Sequence, residues 1–358
     1  MLRQSNKIDF NGRNIYVGID VHLKSWKVTI MTEELTHRTF SQPPKPDLLA
    51  QYLRNNFPGG TYYSAYEAGF CGYWAHDKLV SLGINSIVVN ASDIPTTGKE
   101  KEQKNDKRDS QKIARSLRNG DLEPIYIPSK KTLNDRGLVR ARATLVKDLS
   151  RYKNRIKSFL YYQGIEFPEA FRKHQTHWSN RFMKWLESIE FDDQSRQSSL
   201  NILLSQANFL RSSVLETTRS IRELSRTEPY RKMQELLRTI YGISYITAMV
   251  ILTELVTIDR FPSFDKLCSY IGLIPSSNSS GEKDGTGDLT RRGHILRSVM
   301  IESAWTAARI DPALNLSYNE YCSKMNPNEA IIRIARKLLN RIRFVMKNKQ
   351  PYVCSVVR

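Results

Sequence analysis

The chain has 358 residues, with 55 Lys or Arg against 36 Asp or Glu, a formal net charge of +19 at pH 7. That length exceeds one compact domain, and the excess of cations favours a nucleic acid over an acidic protein or a membrane surface as partner. No apolar run reaches the roughly 18 residues needed to span a bilayer, Met1 to Lys7 lack a signal peptide's apolar stretch, and Cys71, Cys268, Cys322 and Cys354 show neither C-x-x-C pairing nor zinc spacing, so a cytoplasmic protein with reduced thiols is expected.

Residues 14 to 128 alternate short β-like and helical segments. Strands are predicted at 14–20, 26–31, 35–40, 61–67, 85–90 and 123–127. Helices are predicted from Asp47 to Asn56, from Tyr73 to Leu82, and from Asp106 through Ile113, Ala114 and Leu117 to the Asn119-Gly120 stop. Three hairpin strands followed by strand, helix, strand, helix is the order of an RNase H-like sheet. The expected fold is α/β over 1–128, joined to an all-α remainder.

From 129 to 227 the pattern turns helical. Leu138, Leu145, Leu149, Tyr152, Ile156 and Phe159 recur at helical spacing, and Leu200, Leu203, Ala207, Leu210, Val214, Ile221 and Leu224 repeat the seam. The two long helices form either an antiparallel pair or a coiled-coil dimer contact. Between them, Phe167 to Asp193 reads as irregular and aromatic. Residues 228–358 are mostly helical again. Ile240 to Ala248 has the apolar, Gly, apolar rhythm of a helix-hairpin-helix, Gly272 to Gly287 reads as a flexible Gly/Ser-rich loop, and a last helix from Glu329 to about Lys347 sets an apolar face against one rich in Arg and Lys.

Four acids stand out. Asp20 ends the strand-like run Ile15 to Ile19, Glu67 ends Tyr62 to Tyr66, and Asp106 and Asp109 open a helix three residues apart. Acids at the ends of apolar strands are poorly explained by solvation. Together the quartet has the oxygen-donor chemistry that Mg²⁺ prefers, and paired ions can clamp the attacking and leaving oxygens of a phosphodiester. Taken singly, Asp106 and Asp109 also suit plain capping of a helix N-terminus.

Ser280 lies in Ser276-Ser277-Asn278-Ser279-Ser280-Gly281, where nothing local chooses it over Ser276, Ser277 or Ser279. A hydroxyl nucleophile needs a base or a metal to activate it. Candidate phosphate contacts are Arg140, Arg151 and Arg155 on the first long helix, Arg291, Arg292 and Arg297 after the serine loop, and Arg336 and Lys337 on the last helix. Tyr161, Tyr162, Trp178 and Trp185 either stack on unpaired bases or pack in the core.

In this order the motifs resemble the transposases of the IS110/IS1111 insertion-sequence group, related to the Piv/MooV invertases. The resemblance runs through Tyr16-Val17-Gly18-Ile19-Asp20-Val21-His22, Tyr66-Glu67-Ala68-Gly69 and Asn105 to Ser110, then Gly242 to Ala248, Tyr270 to Pro275, Ser280-Gly281, Arg292-Gly293, Leu296-Arg297, Ala304-Trp305 and Ala335 to Leu339. It implies a RuvC-like domain whose DEDD acids, here Asp20, Glu67, Asp106 and Asp109, bind Mg²⁺. It also implies a C-terminal transposase domain in which Ser280 forms a phosphoserine link to DNA. The implied partners are donor and target DNA, a structured non-coding guide RNA, and further copies of the chain in a dimer or tetramer whose subunits share active sites. Ser110 departs from the alanine common after the second Asp, and Ser279 leaves a spare hydroxyl beside Ser280. Two other readings compete: a RuvC-like, Mg²⁺-dependent, structure-selective endonuclease that acts by hydrolysis, and a binding protein with an inactive metal fold.

Overall fold

The computed structural model describes residues 9–95, 106–280, 283–289 and 294–354, with the backbone alone at 106, 107, 275–280, 283–289 and 294. The chain divides into two compact units, Met1–Ile127 and Pro128–Arg358. The first is mixed α/β and the second mostly helical.

In the first unit β1 (Asn14–Val21), β2 (Trp26–Met31), β3 (Thr36–Gln42), β4 (Thr61–Glu67) and β5 (Asn85–Val89) form one sheet in the order β3-β2-β1-β4-β5. The hairpin strands pair antiparallel, whereas β4 lies parallel to β1 and β5 parallel to β4. This mixed sheet is consistent with an RNase H-like domain. Residues of a strand alternate between faces, and the apolar pattern follows suit. Ile15, Val17 and Ile19 of β1, Trp26, Val28 and Ile30 of β2 and Tyr66 of β4 bury one face beneath α1 (Pro46–Asn56) and α2 (Trp74–Ser81), through Leu49, Leu53 and Leu79. The opposite face carries Gly18, Thr29 and Ala65, and there α3 (Asp106–Asn119) packs.

The expected strand at 123–127 is reduced to a single antiparallel bridge between Val89 and Pro124. Pro124 has no N–H to give to a ladder, so pairing goes no further than the bond from Ile125 N to the Val88 carbonyl.

The second unit opens with α4 (Lys130–Tyr162), capped by Ser129, whose hydroxyl accepts from Thr132 N. It pairs with α6 (Gln194–Leu224). Val139 shares one core with Ile221, while Ile156 and Leu160 share another with Leu200 and Leu204. The two helices therefore run antiparallel to each other within one chain. Between them, α5 (Asn180–Glu187) corrects the irregular reading of Phe167 to Asp193. Ser179 caps it, and its Phe182, Met183 and Leu186 bury a tightly packed aromatic cluster that includes Phe167, Phe171 and Trp185. An eight-residue helix is too short for its periodicity to outweigh the surrounding aromatics in the sequence.

Beyond it lie α7 (Arg231–Leu237), α8 (Tyr245–Leu255), α9 (Phe264–Ile271), β6 (Pro275–Ser280), β7 (Lys283–Leu289), α10 (His294–Ile310), α11 (Pro312–Cys322) and α12 (Pro327–Asn348). Residues Ala248 to Leu252 of α8 are all buried, among Leu267, Met300, Ala304 and Leu338. The predicted loop at Gly272 to Gly287 is corrected to an antiparallel hairpin of β6 and β7. Ser, Asn and Gly favour turns locally, but a facing strand satisfies their backbone groups, a gain that composition alone does not display.

Candidate active site

The acids of the first unit are placed by the sheet. Gly18 of β1 pairs with Ala65 of β4, and Ile19 with Tyr66. One step further, Asp20 and Glu67 are neighbours on parallel strands about 4.8 Å apart, at their C-terminal ends. Both lie two residues beyond a position on the α3 face, so both stand on that face. On the other side of Asp20, its register partner on β2 is Lys27.

Helix α3 brings the second pair of acids. A Cβ built on Gly18 would overlap the Ser110 carbonyl oxygen and the Ala114 amide nitrogen. Only the missing side chain lets the helix backbone rest directly on β1. Ser110 is fully buried and its hydroxyl lies 2.9 Å from Thr29 Oγ1 on β2. Ile113 packs on Ala65 and Val89. These contacts hold the first turn, with Asp106 and Asp109, at the face that carries Asp20 and Glu67.

Asp20 and Asp109 are partly exposed and already engaged. His22 Nε2 lies 3.1 Å from Asp20 Oδ2, and Lys112 Nζ lies 4.0 Å from Asp109 Oδ1. Among the described residues, no three His, Cys, Asp or Glu side chains converge closely enough to hold a metal ion, and the side chain of Asp106 lies outside that description. In chemistry the four are carboxylates, the oxygen donors that a hard divalent cation takes.

The sequence reading passed over residues that border these acids. Lys27 faces Asp20 across the ladder and donates to Ser41 Oγ at 3.0 Å. Leu23 and Phe70, 76% and 70% exposed, follow Asp20 and Glu67 in the loops that leave β1 and β4. The signal for Lys27 is its place in Trp26-Lys27-Val28-Thr29-Ile30, where polar residues alternate with the apolar face.

Ser280 lies in the second unit. It is the last residue of β6 and pairs with Lys283, while Ser279 pairs with Asp284. The two serines therefore hold successive, non-equivalent positions of the ladder.

The cations predicted to touch phosphate are differently employed. Arg140 is bidentate on the buried Glu254, with Nε donating to Oε1 at 2.6 Å and Nη2 to Oε2 at 2.8 Å. Arg151 pairs with Asp148 one turn back at 2.8 Å. Exposed Arg155 lies over the Tyr152 ring. Arg336 reaches Asp265 at 3.3 Å, and Lys337 donates to Ser317 Oγ. Arg297 is half-buried on α10, and Arg291 and Arg292 lie outside the described residues. Trp185 packs in the core beneath α4, and Trp178 lies at its edge, whereas Tyr161 and Tyr162 are 88% and 84% exposed.

Residues 17–162 match the DEDD-type IS110 transposase family, and residues 234–319 match the family described as transposases of IS116, IS110 and IS902. The two segments together span more than half of the chain. It is 29% identical over 248 residues to the y4qE protein of Sinorhizobium fredii, covering 68% of this chain and 58% of that one. It is 28% identical over 246 residues to the transposase of insertion sequence element IS1533 of Leptospira borgpetersenii, covering 68% and 70%. To the IS1111A transposase of Coxiella burnetii it is 22% identical over 297 residues, covering 80% and 78%. The chain thus spans less than two thirds of the length of the Sinorhizobium relative. No described helix is long and apolar enough to cross a membrane.

Proposed function

Since this chain belongs to the IS110 family of transposases, we propose that it cuts and rejoins DNA through a phosphoserine link at Ser280, with Mg²⁺ held by Asp20, Glu67, Asp106 and Asp109. The observation that carries this reading is the placement of Asp20 and Glu67 side by side at the end of β1 and β4, under a helix that begins with Asp106 and Asp109. Solvation gives no reason for two acids at the ends of neighbouring buried strands; a shared cation does.

A bound Mg²⁺ would supply positive charge at the scissile phosphate. Asp20 and Glu67 would hold it from the strand ends, and Asp106 and Asp109 from the first helical turn. The chain's own step is an exchange: a serine Oγ–P bond forms as one P–O bond of the DNA backbone breaks and leaves a strand with a hydroxyl end. Attack by a hydroxyl from another strand reverses the exchange and releases the serine. The phosphodiester is conserved throughout, so rejoining needs no ATP.

The second unit would hold the polyanion. Arg151, Arg155, Arg291, Arg292, Arg297, Arg336 and Lys337 are the proposed phosphate contacts; Arg140, fixed on Glu254, would add only its field. The turn between α7 and α8 contains Gly242 at φ +85°, packed against the Ser303 carbonyl, and Ser244 caps α8. This supports a helix-hairpin-helix that offers backbone N–H groups to phosphates. A structured non-coding RNA would choose the DNA by base pairing while the basic helices hold its backbone. Copies of the chain would assemble in the cytoplasm, with Ile202 and Phe209, 63% and 65% exposed and seven residues apart on α6, as the proposed contact.

The test is incubation of the purified protein with Mg²⁺, its RNA and the cognate DNA, resolved on a denaturing gel. A protein–DNA adduct lost in Ser280→Ala is the expected result. Nicked DNA that persists in Ser280→Ala would mean that water attacks and that the chain is a RuvC-like nuclease. No metal-dependent product of any kind would leave a binding protein.

A further inference from the structure

At the end of α4 farthest from the Glu254 ion pair lies a cavity of about 1040 Å³, lined by Lys157, Tyr161, Tyr162, Glu166, Arg172 and His177 among others. Its floor is rigid. His177 is buried, stacks on Phe182, and has Nε2 2.7 Å from the Phe171 carbonyl, which can only accept and so fixes the tautomer. Its rim is the opposite, because Tyr161 and Tyr162 present almost their whole side chains to solvent.

Cations crowd the same end of the helix pair. Lys153 and Lys157 both lie over the Trp178 ring, and Lys153 lines a separate, smaller cavity with Arg211. Among the described residues, none of Lys153, Lys157, Arg172 and Arg211 pairs with a carboxylate. Burial, followed by Arg211 and Lys157, pushes the Lys153 ammonium below its ordinary range. A cluster of this kind raises the energy of the folded chain, and an incoming anion relieves it.

We propose that this cavity binds unpaired nucleotides of a single nucleic-acid strand, with phosphates on Lys157 and Arg172 and a base stacked on Tyr161 or Tyr162. The inference rests on the nucleic-acid reading above and adds to it a place for strand that is not in a duplex. Exposed aromatic rings beside backbone-tracking cations are the parts of a single-strand platform, because every base offers a π-face. A duplex keeps its bases stacked inside and has none to give. A second copy of this chain is the poorer occupant, since a symmetric contact would set the same cations against each other.

The experiment measures fluorescence anisotropy of short single-stranded oligouridylate and oligothymidylate, and of a short DNA duplex, on the full chain. In the double variant Tyr161→Ala/Tyr162→Ala, single-strand affinity is expected to fall on the order of tenfold or more with duplex affinity unchanged. Tyr161→Phe/Tyr162→Phe keeps the rings and should restore it. The homopolymer that wild type binds more tightly identifies the strand as RNA or DNA. Unchanged single-strand affinity in the alanine variant overturns the proposal, as does equal loss on duplex. A shift in sedimentation without loss of single-strand affinity would instead mark the rim as a protein contact and overturn it too. If wild type binds neither single strand nor duplex, the nucleic-acid reading itself fails, and this inference with it.

Discussion

The hydroxyl of Ser110 lies 2.9 Å from that of Thr29, and Thr29 in turn lies 2.9 Å from Thr39. A chain of hydroxyls thus runs from the buried side of α3 across β2 to β3. Gln111 adds a second tie, from its Nε2 to Thr39 Oγ1 at 3.2 Å. The residue that follows Asp109 is therefore a peg that fixes how the helix sits on the sheet.

Removing the peg should cost little, and filling the gap beside it should cost more. Ser110→Ala leaves Thr29 bonded to Thr39, so a loss of about 1 kcal/mol is expected in a urea midpoint. Gly18→Ala drives a methyl group into the backbone of α3 and should cost about 1–3 kcal/mol or more. It should also depress strand cleavage, because the helix carrying Asp106 and Asp109 must move. Wild-type stability and cleavage in Gly18→Ala would show that α3 does not rest on that residue.

The acids and the serine should fail in different ways. Asp20→Asn, Glu67→Gln and Asp109→Asn are each expected to slow adduct formation by on the order of a hundredfold or more, and chelation of Mg²⁺ should stop it. Ser280→Ala should abolish the adduct while DNA binding persists in a mobility-shift assay. Ser279→Ala should leave adduct formation intact. An adduct that vanishes in Ser279→Ala and survives in Ser280→Ala would reassign the nucleophile.

Two arginines on one helix should separate stability from affinity. Arg140→Ala takes the bidentate partner from the buried Glu254, leaving Arg136 at 3.8 Å, and is expected to cost about 3 kcal/mol, the low end for breaking a buried pair. Its DNA affinity should change little. Arg155→Ala should do the reverse, weakening DNA binding and flattening its salt dependence with the melting temperature unchanged. Equal losses of affinity in both variants would place Arg140 on the DNA.

The strands were legible because β1, β2 and β4 are short, largely apolar runs, and so was the place of Asp20 and Glu67 at the ends of two of them. The hairpin of β6 and β7 was not, since Ser276 to Gly281 displays turn chemistry until a distant partner supplies the ladder. Arg140 shows a second limit. Arg136 and Arg142 lie close to it along a basic helix, so it reads as a phosphate contact, and only the fold brings Glu254, 114 residues away, beneath it. Lys27 was hidden for the opposite reason, as a single lysine in a strand that needs cross-strand register to be set beside Asp20.

A pH-dependent stability should accompany the cation cluster at the end of α4. The Lys153 ammonium is held below the ordinary lysine value of 10.5, chiefly by burial. The unfolded chain therefore binds the proton more strongly, and this lysine's contribution to stability rises with pH until it levels off near 10.5. Lys153→Met is expected to raise the melting temperature at neutral pH, with the advantage narrowing as the pH climbs toward that value. A melting temperature that falls at neutral pH would show that the ammonium is stabilised in the folded chain.

The bare Gly18 backbone has a consequence for how this molecule can change. One side of the sheet is filled by interlocking side chains from α1 and α2, where one substitution can be answered by another. On the other side, at Gly18, backbone meets backbone and there is nothing to repack. The first layer can accumulate compensating substitutions while the acids stay where they are. The contact at Gly18 admits almost no exploration, and the start of the helix that carries Asp106 and Asp109 is insulated from drift elsewhere in that core.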